Sequence, residues 1–243
     1  MNSFLKGPEA GIQIRWIPRY SSLERFLHWG HAFTFIPLTL TGMVLFMPLL
    51  APLARGEAGQ FIRLIHRASA VLFVAVPIIY ALLEPRRLLQ TLRDLKFGKD
   101  DLDWVKGALS YYLLGRHVAM PPQSRFNTGE KLNVVILVTG TVLFAITGAI
   151  MWFGRGLIPV GLFQACVIIH DLTMIATVNM FIIHFYLAVV HPMMWQSLVS
   201  MRYGYVSESY AREHHAKWFY GEERARELYE AEKAAQAKKE ETV

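Results

Sequence analysis

Three stretches of this chain contain no Asp, Glu, Lys or Arg: residues 26–54, 132–154 and 172–201. Each is longer than the roughly 20 residues a helix needs to cross about 30 Å of hydrocarbon, where a helix satisfies its own backbone hydrogen bonds. A fourth stretch, 68–83, is charge-free for only 16 residues. Extended back to Gln60 it takes in Arg63 and Arg67, whose aliphatic stems let their charges reach the interface. The pattern predicts an all-α integral membrane protein, a bundle of four transmembrane helices. Composition agrees: 18% of residues are charged, against about 25% in soluble domains. An ordinary soluble domain and a disordered chain are both excluded. The net charge of +6 would suit nucleic acid. A membrane protein, however, gathers Lys and Arg on one side for topological reasons, so lipid and not nucleic acid is the expected surrounding.

The expected spans are about 26–50, 60–83, 132–153 and 166–191, forming a membrane domain over 26–201. A polar segment, 1–25, precedes it, a polar loop occupies 84–130, and a polar tail follows over 202–243. The first 25 residues show no short apolar core with a small-residue cleavage site, so no cleavable signal is expected. Pro37 and Pro77 fall inside spans and are expected to kink them. Lys and Arg number 4 in 1–25, 9 in the loop with Lys131 and 8 in the tail, against 4 on the other side (Arg55, Arg63, Arg67 and Arg155). The positive-inside rule then places both termini and the long loop in the cytoplasm, for a multi-pass protein of a bacterial inner membrane.

Nine histidines occur, and their depth matters more than their number. His28 lies near the cytoplasmic start of span one. His66 and His170 lie near the periplasmic starts of spans two and four. His184 is 14 residues beyond His170, about 21 Å at 1.5 Å per residue and nearly four whole turns, so both face roughly one side. The depths pair His66 with His170 and His28 with His184. Two facing imidazole pairs inside a helical bundle are what two six-coordinate haems, stacked across the bilayer, require. Such haems would carry electrons across the membrane, which side chains do not.

Other readings are open at this point. A single intramembrane histidine often serves helix–helix hydrogen bonding, and zinc also gathers histidines, although each level here offers two and no thiol. Cys166 is alone, so no disulfide and no cysteine-based metal site forms within the chain. His31 and His191 either face cofactor cavities or simply pack, and His117, His214 and His215 are expected at the surface. Gly42, Gly140 and Gly148 permit close approach of a porphyrin or a helix. Arg63 and Arg67 suit haem propionates or snorkelling equally. Asp171 is expected to meet water or an arginine. Asn127-Thr128-Gly129 reads as a helix N-cap or as part of a ligand site.

The segment from Arg19-Tyr20 through Glu24-Arg25 to His28-Trp29 resembles the opening of the gamma subunit of respiratory formate dehydrogenases, the membrane cytochrome b subunit. The resemblance continues at Ile65-His66, at Arg125-Phe126-Asn127-Thr128-Gly129-Glu130-Lys131, and in the His170 to His184 spacing. It reaches Gly204-Tyr205-Val206, His214-His215 and Trp218, and so covers about residues 15–220. The loop and tail are longer than the family's, and His31 is not a position where a histidine is expected.

The resemblance implies two haem b groups, one held by His66 and His170 on the periplasmic side and one by His28 and His184 on the cytoplasmic side. It implies a quinone, menaquinone or ubiquinone, near Asn127, Gly129 and His184. An Asn amide donates to a quinone carbonyl and a glycine lets a ring approach the backbone. The implied partners are an iron–sulfur subunit and a catalytic dehydrogenase subunit, because this chain holds no ligand set for substrate oxidation. A cytochrome b of a nickel–iron hydrogenase or a thiosulfate-type reductase follows the same haem logic. A haem-free membrane anchor or small transporter is the rival of a different class.

Overall fold

The computed structural model describes residues 14–240 apart from His117 and Met193. His117, expected at the surface, therefore lies outside the described residues. Four helices are long and apolar enough to cross a membrane: α1 (Ser22–Phe46), α2 (Gly56–Leu83), α5 (Thr128–Phe153), and α6 (Val160–Phe185) with its continuation to Val190. Short helices complete the order: α3 (Pro85–Asp94), α4 (Lys99–Ala108), α7 (Trp195–Tyr203), α8 (Glu208–His214), α9 (Ala216–Tyr220) and α10 (Glu222–Glu240). A two-stranded antiparallel sheet pairs β1 (Trp16–Pro18) with β2 (Tyr205–Ser207), with Ile17 opposite Val206.

The helix ends follow local chemistry. Ser21 and Glu24 form a reciprocal capping box, with Ser21 Oγ accepting from the Glu24 amide and Glu24 Oε2 accepting from the Ser21 amide, so α1 begins four residues before the charge-free run. Met47-Pro48 ends it, because the residue before a proline is pushed out of the helical region; Met47 is extended and a 3₁₀ turn follows over Pro48–Ala54. The first span thus closes at Phe46, earlier than expected. The span that looked short, 68–83, belongs to a 28-residue helix once Gly56 turns the chain with φ +59°. The loop 84–130 is not bare: it folds into α3 and α4 with a π-helical turn after α4.

The described residues divide into two compact units, Ser21–Leu88 with Asn133–Trp195, and 14–20 with Leu89–Leu132 and 196–240. In the helical unit, α1 packs on α2 and α6. On α6, Thr177 meets Gly140 of α5 so closely that a Cβ there would lie 2.7 Å from its methyl carbon. Arg67 of α2 stands over the Trp152 ring of α5 at 5.1 Å, closing the circuit of four helices. The outer faces stay apolar and bare, with Phe33, Leu82 and Leu157 at least 70% exposed, as a lipid-facing surface requires.

The second unit buries charge in pairs. Lys131 Nζ donates to both carboxylate oxygens of Asp101 (2.9 and 3.0 Å) and to the Lys96 carbonyl, while the Thr128 hydroxyl donates to Asp101 at 2.7 Å. Arg19 holds Glu130 at 2.8 Å and the Arg125 carbonyl at 2.9 Å. Arg226 makes a two-toothed contact with Asp100, and Lys217 reaches the same carboxylate. Burial raises the Asp101 pKa, yet the hydrogen bonds from Lys131, Thr128 and the Gly98 amide outweigh it and hold the carboxyl below its ordinary value. A carboxyl depressed in this way contributes stability that is complete above about pH 4 and lost as pH falls through its folded value. Asp101→Asn leaves Lys131 buried without its counter-charge, so it is expected to destabilise by about 3–5 kcal/mol. Thermal unfolding in detergent checks this, and the wild type should lose stability below about pH 4 while the variant loses less.

Candidate functional site

The helical unit brings the four intramembrane histidines together in two pairs. His66 of α2 faces His170 of α6 with ring centres 6.4 Å apart and planes at 54°. His28 of α1 faces His184 of α6 at 6.1 Å and 62°. A metal–imidazole bond is about 2.0–2.1 Å and a ring nitrogen lies about 1.1 Å from its centre, so two rings on opposite sides of one ion have centres about 6.2 Å apart. Both pairs match that spacing. Among the described residues no group of three or more His, Cys, Asp or Glu side chains is placed to hold a metal ion, whereas a zinc cage uses four ligands. The donor sets are suited to an ion that brings its own equatorial ligands, as haem iron does.

The His66 and His170 pair opens into a cavity of about 900 Å³ between the helices. Gly42 and Gly148 line it: a Cβ at either would stand 3.6 Å from Cε1 of His66 or His170. Arg63, Arg67 and Asp171 also line this cavity. Arg63 donates to the Ala54 carbonyl at 3.0 Å and Arg67 lies on Trp152, so both arginines are steered by local partners. Gly140 does not line the cavity; it serves the α5–α6 approach.

Each ring is oriented from the helix preceding its own. Thr41 Oγ1 stands 2.9 Å from His66 Nδ1, and Thr147 Oγ1 stands 2.8 Å from His170 Nδ1. Neither threonine was singled out by the sequence, although both precede a cavity glycine in a Thr-Gly doublet. That doublet, repeated in spans one and three, was the available signal. His28 Nδ1, in contrast, is buried with no hydrogen-bond partner among the described residues.

The remaining histidines fall into place by packing. His31 stacks on Phe73 (4.4 Å, 13°) and its Nε2 meets the Phe73 carbonyl at 3.1 Å, so it is a packing residue. His191 is buried with its ring 6.0 Å from Tyr186. His214 and His215, expected at the surface, are buried: 8% and 0% exposed. His215 Nδ1 donates to the Ser124 carbonyl at 2.9 Å, and its ring packs near Tyr210 and Trp218. Burial, with the Arg19 charge nearby, pushes the His215 pKa well below its ordinary value, so the ring is neutral. A polar segment reads as surface from composition; a neutral imidazole with a carbonyl acceptor is nevertheless admissible inside.

Asn127 and Gly129 belong to the polar unit and His184 to the helical one. Asn127 is the N-cap of α5: its Oδ1 accepts from the Glu130 amide at 2.9 Å and Glu130 Oε2 accepts from the Asn127 amide at 3.0 Å. The cap uses the oxygen of the side-chain amide, and its NH₂ donors lie on the other side. A Cβ at Gly129 would lie 3.1 Å from the Trp104 indole, so this glycine accommodates Trp104.

A family model described as prokaryotic cytochrome b561 matches residues 19–204. Those limits are hydrogen-bonded to each other, the Arg19 amide to the Gly204 carbonyl at 2.8 Å. The formate dehydrogenase cytochrome b556 subunit of Haemophilus influenzae is 26% identical over 84% of this chain and 82% of its own length. In Escherichia coli K12, the nitrate-inducible formate dehydrogenase cytochrome b556(Fdn) subunit is 24% identical over 89% and 96%. The cytochrome b556(fdo) subunit of the same organism is 23% identical over 84% and 92%. Asn127→Ala is expected to cost about 1 kcal/mol by loss of the α5 cap, and Asn127→Ser much less because serine caps as well; thermal unfolding of the two variants checks this.

Proposed function

Because the chain belongs to the prokaryotic cytochrome b561 family, we propose that it is the membrane subunit of a respiratory formate dehydrogenase, passing electrons from an iron–sulfur subunit through two b haems to quinone. The observation that carries the reading is the pair of imidazole pairs, each at the spacing of two ligands on one ion, in a chain whose family binds haem b. His66 and His170 hold one haem, His28 and His184 the other. Bound haem supplies one-electron transfer. The protein's part is to set the ligands, to exclude water with apolar helix faces, and to leave room beside Gly42 and Gly148.

Within the polar unit, Asn127 is the residue that would meet quinone. The Asn127 NH₂ donates to a quinone carbonyl while its oxygen keeps the helix cap. The names of the relatives support a complex with a formate-oxidising partner. The 21 Lys and Arg residues of the N-terminal segment, loop and tail support cytoplasmic termini in a bacterial inner membrane, with the His66/His170 level outward. Electrons then enter at the outer level and quinol protons come from the cytoplasm.

Haem extracted from the purified chain and counted beside its reduced-minus-oxidised spectrum should give two b haems, and a count of one or none overturns the assignment. His184→Ala is expected to lose the His28/His184 haem and keep the other. Asn127→Ser should retain both haems and near-normal stability, yet reduce quinone at least tenfold more slowly at low quinone concentration. Unchanged turnover there removes Asn127 from the quinone site.

A further inference from the structure

The two threonines beside His66 and His170 are not ordinary neighbours. A threonine in a membrane helix commonly donates its hydroxyl to the carbonyl four residues back. Thr41 does so to Pro37 and Thr147 to Leu143, both at 2.6 Å. Two oxygens that close share a proton, and a carbonyl has none to give, so the hydroxyl hydrogen of each threonine is committed. What is left on Oγ1 is a lone pair, aimed at an imidazole Nδ1 at 2.9 or 2.8 Å. The ring nitrogen must therefore be the donor. Each histidine is fixed as the Nδ1–H tautomer, and its Nε2 carries the lone pair that a metal needs.

The same contacts act on the electronics. An imidazole that donates its far N–H becomes a more basic ligand, and a hydroxyl polarised by its own hydrogen bond is a better acceptor. A more basic axial ligand favours ferric over ferrous iron, which lowers the haem potential. At the other level the buried His28 Nδ1 has no partner among the described residues, so at least one of the two rings there lacks this support. Resting on the reading of His66 and His170 as haem ligands, we propose that Thr41 and Thr147 are positioning residues. They lock both ligands for iron through Nε2 and lower the potential of the haem those ligands hold, making transfer toward the His28/His184 level downhill.

The test is an optical redox titration of the haem-loaded protein purified from its membrane. Thr147→Val and Thr41→Val keep side-chain shape and remove the acceptor. Each should shift the reduction equilibrium of one haem several-fold toward the reduced form, a tenfold change being 59 mV for one electron, with the other haem as an unmoved reference. Thr147→Val is the cleaner variant, because the Leu38 carbonyl also accepts from His66. Thr→Ser at either site should restore the original value, which a role in packing alone would not. Loss of one haem in the Val variant with retention in the Ser variant equally supports the hydroxyl as the group that holds the ligand. Unchanged potentials at full haem content overturn the proposal. His66→Ala, titrated alongside, separates the two ideas: if it keeps both haems, the ligand assignment itself is wrong.

Discussion

Inside hydrocarbon no water completes an unmet hydrogen bond, so a polar group in a span gains most by finding its partner within the protein. The helical unit is organised by that constraint. Thr34, Thr41, Thr141, Thr147, Thr173 and Thr177 all return their hydroxyls to carbonyls of their own helices. Two of them also face an imidazole Nδ1, and there the requirement for satisfaction becomes orientation of a histidine ring. His31 meets the same requirement with the Phe73 carbonyl, which withdraws it from any other role.

The polar unit solves the opposite problem, that of buried charge. Lys131 with Asp101, and Arg19 with Glu130, are close pairs joined by further hydrogen bonds from Thr128 and to the Lys96 and Arg125 carbonyls. Such pairs add little net stability relative to apolar packing, but breaking one leaves an uncompensated charge. They sit at the first turn of α5, where Asn127 and Glu130 also cap the helix. The start of the third span is thus held by interactions that tolerate little substitution. The family match begins at Arg19, inside this network, and ends at Gly204, whose carbonyl accepts from the Arg19 amide.

Much of this was legible in the chain itself. The charge-free runs located the four spans, and the 14-residue interval between His170 and His184 set two depths, because helix rise is constant. The Asn127 N-cap was visible as one of two readings of its motif. The burial of His214 and His215 was not visible, since nothing in a polar tail announces that Ser124, some 90 residues earlier, supplies the acceptor. The extent of α2 was hidden as well: two arginines interrupted the apolar run, and only their partners, the Ala54 carbonyl and the Trp152 ring, show how they are accommodated.

Sequence alone determined the number of spans, the height of each histidine along its helix, and the side on which positive charge collects. These follow from hydrophobic length, helical rise and charge count, all of which are local. Tertiary structure decided which histidines face one another, which ring nitrogens of His66 and His170 meet a threonine hydroxyl, and which glycines border a cavity instead of a neighbouring helix. Those depend on rotation about each helix axis and on atoms contributed by the helix packed against it. A one-dimensional period constrains neither, because the partner that fixes each one is distant in the chain.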